Sequence, residues 1–100
     1  MNQKDKIYEE VLKEEVDKHF SQTVDKLKSL DDYGSIDIAK DGLTIQIAWW
    51  KYKISEDTYH FVFVTSRRSF LFLHRKFLDG FKIIGESIER LNGEELGDYD

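Results

Sequence analysis

Lys51, Lys53, His60, Arg67, Arg68 and Arg75 are the residues of this 100-residue chain best suited to bind an anion. Arginine and lysine hold phosphate or carboxylate through charge-assisted hydrogen bonds, and a histidine among them can add a further donor. Four of the six are separated by strand-like segments. If those segments pair as successive hairpins, Lys53, His60 and Arg75 fall in one row across three strands, with Lys51 two residues along. Like charges in a row repel, so the row calls for an anion facing it. That anion is a phosphate, the carboxylate of a protein partner, or the chain's own acidic tail at Glu94, Glu95, Asp98 and Asp100.

The charge distribution sharpens the question. Residues 1–48 carry −4, residues 49–82 carry +4 and residues 83–100 carry −5, for a net charge of −5. Ten of the 14 aromatic residues lie between Trp49 and Phe81, so the basic third is also the aromatic third. Basic residues among aromatics can contact phosphates and stack on bases. The acidic total, with a pI near 5.2, argues against nucleic acid. So do the order of elements, which is not βαββαβ, and the lack of a glycine-aromatic signature in "SRRSF". Nucleic-acid or other anion binding is therefore the alternative reading.

Other chemistry has less to stand on. Without cysteine there is no thiolate nucleophile, disulfide or cysteine-ligated metal. His19 has Glu15 one helical turn before it, which is half a metal site, and His60 and His74 are expected on opposite faces. No serine sits in a GxSxG elbow, and Gly80, Gly85, Gly93 and Gly97 are too scattered for a phosphate loop. The expectation is a protein that is not an enzyme and carries no metal or cofactor.

These side chains need elements to position them. Ile7, Tyr8, Val11, Leu12, Val16, Phe20, Val24, Leu27 and Leu30 recur at three- and four-residue spacing, which predicts one amphipathic helix from about Asp5 to Leu30. Asp41-Gly42 suits a type I′ turn and sets Ile38 against Ile45 and Ile36 against Ile47. The apolar phase then switches from odd positions (Leu43, Ile45, Ile47) to even ones (Trp50, Tyr52, Ile54). The switch requires either a β-bulge near Trp49-Trp50, which is the preferred reading, or a sheet covered on both faces. Across "SEDT", Trp50 is expected opposite Phe63, Tyr52 opposite Phe61 and Ile54 opposite Tyr59. "SFLFLH" forms a fourth strand after a reversal at Arg67-Arg68. Phe81, Ile84, Ile88 and Leu91 then predict a C-terminal helix, capped by Asp79 at its start and Asn92-Gly93 at its end.

The sum is an α+β domain over residues 1–93: a long N-terminal helix, a four-stranded antiparallel meander and a C-terminal helix. Residues 94–100 follow as a frayed acidic tail. Strands three and four are apolar on both faces, so Val62, Val64, Leu71 and Leu73 form a second apolar surface that a helix or another molecule must cover. The expected protein is a cytoplasmic protein-interaction module, homodimeric through that surface. The chain has no apolar run of membrane-spanning length and no secretory signal at its start.

Overall fold

The computed structural model describes residues 3–68 and 74–99. Two helices come first, α1 (Gln3–Phe20) and α2 (Val24–Lys28), followed by five strands and a short third helix. The strands are β1 (Tyr33–Lys40), β2 (Leu43–Ser55), β3 (Thr58–Arg68), β4 (His74–Ile84) and β5 (Ser87–Arg90), and the helix is α3 (Gly93–Gly97). They form one antiparallel sheet in sequence order. The class is α+β, with five strands where four are expected.

The N-terminal stripe is continuous, but the helix is not. "SQT" interrupts it because Ser and Thr side chains compete for backbone groups. The Ser21 hydroxyl donates to the Lys18 carbonyl at 2.8 Å. Thr23 Oγ1 accepts from the Lys26 amide at 3.3 Å and so caps a new helix. The stripe survives the break, since Val11, Leu12 and Val16 of α1 and Val24 and Leu27 of α2 are all buried in one core.

The first hairpin follows its turn chemistry. Asp41 and Gly42 both have positive φ, 51° and 78°, and the pairing is Ile38–Ile45 and Ile36–Ile47 as expected. Gly34 sits under the Trp49 indole, where an added Cβ would lie 2.5 Å from the ring.

Beyond Ile47 the register departs from expectation. No bulge occurs at Trp49-Trp50; the strand keeps its phase, so Trp49 opposes Phe63 on one face and Trp50 opposes Val62 on the other. The shift comes later, between Lys53 and Ser55, with Ile54 as the extra residue. One extra residue beside the Glu56-Asp57 turn moves the whole ladder by one position. The expected Trp50–Phe63, Tyr52–Phe61 and Ile54–Tyr59 pairs are replaced by Trp50–Val62, Tyr52–His60 and Lys53–Tyr59. Alternation resolves the phase switch through a sheet covered on both faces.

The C-terminal helix comes later than the spacing places it, as the short α3, and the interval from Phe81 to Leu91 is a hairpin. Phe81 and Ile84 end β4, and Ile88 lies in β5. Gly85, at φ 59°, turns the chain between Ile84 and Ser87, which pair directly. Two adjacent β-branched residues, Ile83-Ile84, followed by a positive-φ glycine favour a strand and turn over a helix. Phe81, Ile83 and Ile88 then share the helix-facing side. Asp79 is a strand residue, not an N-cap. Asn92 begins a helix where it was expected to end one: it forms a capping box with Glu95 at the start of α3. Of the fourth-strand segment "SFLFLH", only His74 lies among the described residues.

The core lies between α1, α2 and one sheet face. Phe61, Phe63, Phe81, Ile45, Ile47 and Ile83 are fully buried there against Val11, Val16 and Leu27. Phe61 stacks on Phe81 at 4.9 Å, and Phe20 meets Phe81 edge-on at 6.2 Å. The opposite, outer face carries Trp50, Tyr52, His60, Val62, Val64, Leu78, Lys82 and Ile84, alternating with the core residues along β2, β3 and β4.

Candidate functional site

The register distributes the six basic candidates over different surroundings. Lys53 opposes Tyr59, on the helix side, and His60 opposes Tyr52 and Lys82, on the outer side. Arg75 opposes Arg67 near the other end of the sheet. The expected Lys53–His60–Arg75 row is therefore not assembled. The one-residue shift of the β2–β3 ladder puts Lys53 and His60 on opposite faces. The β3–β4 ladder sets His60 opposite Lys82 and Arg75 opposite Arg67, seven positions out of the register the row requires.

Arg67 and Arg75 do form a cationic pair, and the anion they face is in the chain. Asp5, in the first turn of α1, accepts from Arg67 Nη1 through Oδ1 and from Arg75 Nη1 through Oδ2, the latter at 2.7 Å. The Asp5 side chain is 2% exposed, that of Arg67 13% and that of Arg75 59%. The cluster clamps the start of α1 to the β3–β4 ladder. One carboxylate balances one of the two guanidiniums, and Arg67, the more buried of them, is held inside the cluster.

Lys51 is also committed. Its Nζ donates to the carbonyls of Lys28 at 3.1 Å and Leu30 at 2.5 Å, satisfying backbone acceptors at the end of α2, with Asp32 3.6 Å away. Lys53 is exposed, with Glu56 at 3.9 Å. The backbone of Arg68 pairs with His74, and the Arg68 side chain lies outside the described set. A second shared cation, Arg90 of β5, joins Asp17 of α1 to Asp79 of β4, the latter at 2.5 Å. Burial opposes its charge, but the hydrogen bonds it donates to Asp17 and Asp79, with their negative charges, hold its pKa above the ordinary value.

The outer face is where polar and aromatic groups converge without being closed into the core. Tyr99 stacks on Tyr52 at 4.8 Å, and its hydroxyl is 2.7 Å from His60 Nδ1. Lys82 Nζ donates to Glu95 Oε2 at 2.7 Å. The segment expected to fray is thus laid across the sheet by the Asn92–Glu95 capping box, one ion pair and one aromatic stack. A cavity of about 160 Å³ remains between Trp50, Tyr52, Val62, Val64, Lys76 and Tyr99. Of the expected dimer surface, Val62 is already 1% exposed within one chain, Val64 is half-buried, and Leu71 and Leu73 lie outside the described residues.

Two groups at this site, His60 and Glu95, have pKa values below their ordinary ones. Burial lowers the His60 pKa, with Lys82 adding to the effect and Glu95 and Asp98 opposing it. Hydrogen bonding from Lys82 lowers that of Glu95, with the Asn92 amide adding to it. Both groups bind protons more readily in the unfolded or undocked chain, so both stabilise docking at neutral pH. The His60 contribution is complete above the ordinary imidazole pKa and is lost as pH falls through the lowered value. Glu95 follows at lower pH, below the ordinary carboxylate range. Acidification from about pH 7 to pH 5 is expected to release the Tyr99 ring from Tyr52 before global unfolding. NMR shifts of the Tyr99 ring and the His60 imidazole would check this; a Tyr99 ring that stays put while His60 protonates would contradict it.

Asp5, Lys82 and Tyr99 are the site residues that sequence reasoning missed. Asp5 lies 62 and 70 residues from its two partners, so no local pattern connects them. Tyr99 did carry a signal, as the lone aromatic of an otherwise acidic tail. Among the described residues no group of three or more His, Asp or Glu side chains is placed to hold a metal ion, and no helix is long and apolar enough to cross a membrane. Comparison with protein-family models, curated proteins and solved structures finds no match.

Proposed function

We propose that the chain is a small, non-enzymatic, cytoplasmic protein-interaction module that self-associates and offers the outer face of its sheet to a protein partner. One observation carries this reading. Among the described residues the exposed large apolar side chains are Tyr33, Ile36, Tyr52, Ile54 and Ile84. All but Ile36 belong to the outer face: Tyr33 opposes Trp50, Tyr52 and Ile84 follow by alternation, and Ile54 shares the bulge opposite Thr58. Apolar groups gathered on one face beside the short α3 are more than scattered surface hydrophobes. The dispersal of the basic row, and the engagement of Arg67 and Arg75 with Asp5, weigh against the anion-binding alternative.

Native mass spectrometry of the untagged protein from its own cells tests the reading. The expected spectrum shows a dimer, alone or with a second protein, and Tyr52→Glu removes the second protein. A monomer with nothing bound overturns it.

A further inference from the structure

We infer that self-association runs through the free edge of β1, joining two copies about a two-fold axis into one ten-stranded sheet. This rests on the self-association proposed above and names its surface. Among the described residues β1 pairs only with β2, and α1 packs chiefly over β4 and β3 with less on β2, so the outward edge of β1 carries no strand. Lys51 donates its amide to the Asp32 carbonyl at 2.9 Å, which places Asp32 in the ladder as a hydrogen-bonded partner of Lys51. By alternation, Gly34, Ile36, Ile38 and Lys40 aim their backbone groups at β2. Tyr33, Ser35, Asp37 and Ala39 aim theirs outward, an open row of donors and acceptors.

The occupant that fits this row is a second copy, because one register is self-complementary. Antiparallel pairing centred on Ile36 sets Ile36 against Ile36 of the partner as a close, non-hydrogen-bonded pair. It sets Ser35 opposite Asp37, so a hydroxyl meets a carboxylate. It sets Asp32 opposite Lys40, twice by symmetry, giving two cross-copy ion pairs. The outward backbone groups of residues 33, 35, 37 and 39 then meet those of 39, 37, 35 and 33. Neighbouring registers lose this match: centring on Asp37 opposes two like charges, and centring on Ile38 places Ile36 against Lys40. Asp32 is almost fully exposed, and its contact with Lys51 is long at 3.6 Å; Lys40 meets Glu14 of α1 at 3.4 Å. Neither contact blocks the strand edge. The same pairing also accounts for Ile36, the one exposed large apolar side chain that the outer face does not include. Two outer faces become continuous across the axis, each with its Tyr33–Trp50 pair beside the seam.

Sedimentation equilibrium of the full chain, with amide hydrogen exchange, tests the edge. A strand edge alone is a small interface, so a reversible dimer in the micromolar range is expected. Lys40→Asp sets acid against Asp32 and is expected to weaken the dimer about tenfold, while Asp32→Lys with Lys40→Asp restores it. In the unaltered protein, exchange at the Ser35 and Asp37 amides slows as protein concentration rises. A dimer that ignores these changes but is lost in Tyr52→Glu overturns the edge and leaves self-association standing. Failure of the double variant to restore the dimer overturns the register. A monomer up to about 100 μM overturns both the edge and the self-association it rests on.

Discussion

Replacing Asp5 with alanine is expected to lower the unfolding free energy by about 3 kcal/mol, because it leaves Arg67 charged and largely buried with no acid to face. The wild-type carboxylate serves two arginines on neighbouring strands, and its removal converts an attractive triad into a repulsive pair. The loss falls mainly on Arg67, whose side chain is 13% exposed, whereas Arg75 can turn its head group to water. Arg75→Ala is accordingly expected to cost less than about 1 kcal/mol. Urea unfolding of the two variants checks the asymmetry through the transition midpoint. A change below about 0.5 kcal/mol for Asp5→Ala would mean that the first turn of α1 is not anchored on the sheet.

Phe81→Ala is the second large effect, with an expected loss of about 4 kcal/mol. Phe81 is fully buried where three rings meet it: Phe61 stacked at 4.9 Å, Phe63 tilted at 5.9 Å and Phe20 edge-on at 6.2 Å. Alanine there removes the ring common to both helix layer and sheet, and the neighbours are held by strand pairing and cannot collapse into the space. Against a total of about 5–15 kcal/mol for a domain of this size, the variant is expected to be only marginally folded. A thermal melt would show it: the midpoint should fall by well over 10 °C, since about 1 kcal/mol moves it 4–8 °C in a small domain. A loss under about 1.5 kcal/mol would place Phe81 outside the centre of the core.

Phe81 also shows where pattern reading fails. Phe81, Ile84, Ile88 and Leu91 are spaced as on a helix, yet the chain crosses the sheet twice over that interval. The spacing is produced by a hairpin: two strand residues, a turn at Gly85, and two more residues whose sides are reset by the turn. A helical period and a hairpin of short strands give the same positions over so brief a stretch. The distinguishing signals were β-branched Ile83-Ile84 and a glycine able to take positive φ. The break in the first helix is similar, since the stripe continues through "SQT" and only capping chemistry reveals the interruption.

The outer face was legible in kind but not in membership. Two-sided apolarity in the β3 region implies that both faces need cover: α1 and α2 supply it on one, and α3 with Tyr99 covers part of the other. Which residues share a face turned on a single extra residue at Ile54. A shift of one position exchanges the faces of everything beyond it, which is why His60 left the expected basic row and met Tyr99.

By itself the sequence determined the α+β class, the apolar stripe of the N-terminal helices, the Asp41-Gly42 hairpin with its Ile38–Ile45 register, and the need to cover two sheet faces. Each follows from local turn chemistry or from a period of two or 3.6 residues, which neighbouring residues enforce on one another. Only the tertiary structure decided that Asp5 bridges Arg67 and Arg75, that Lys51 closes the end of α2, and that Tyr99 lies on Tyr52 and His60. Those pairings join residues tens of positions apart, and nothing in the local pattern encodes them. They form because folding brings charges and rings together where water is excluded, and there each charged group must find a partner or remain at the surface.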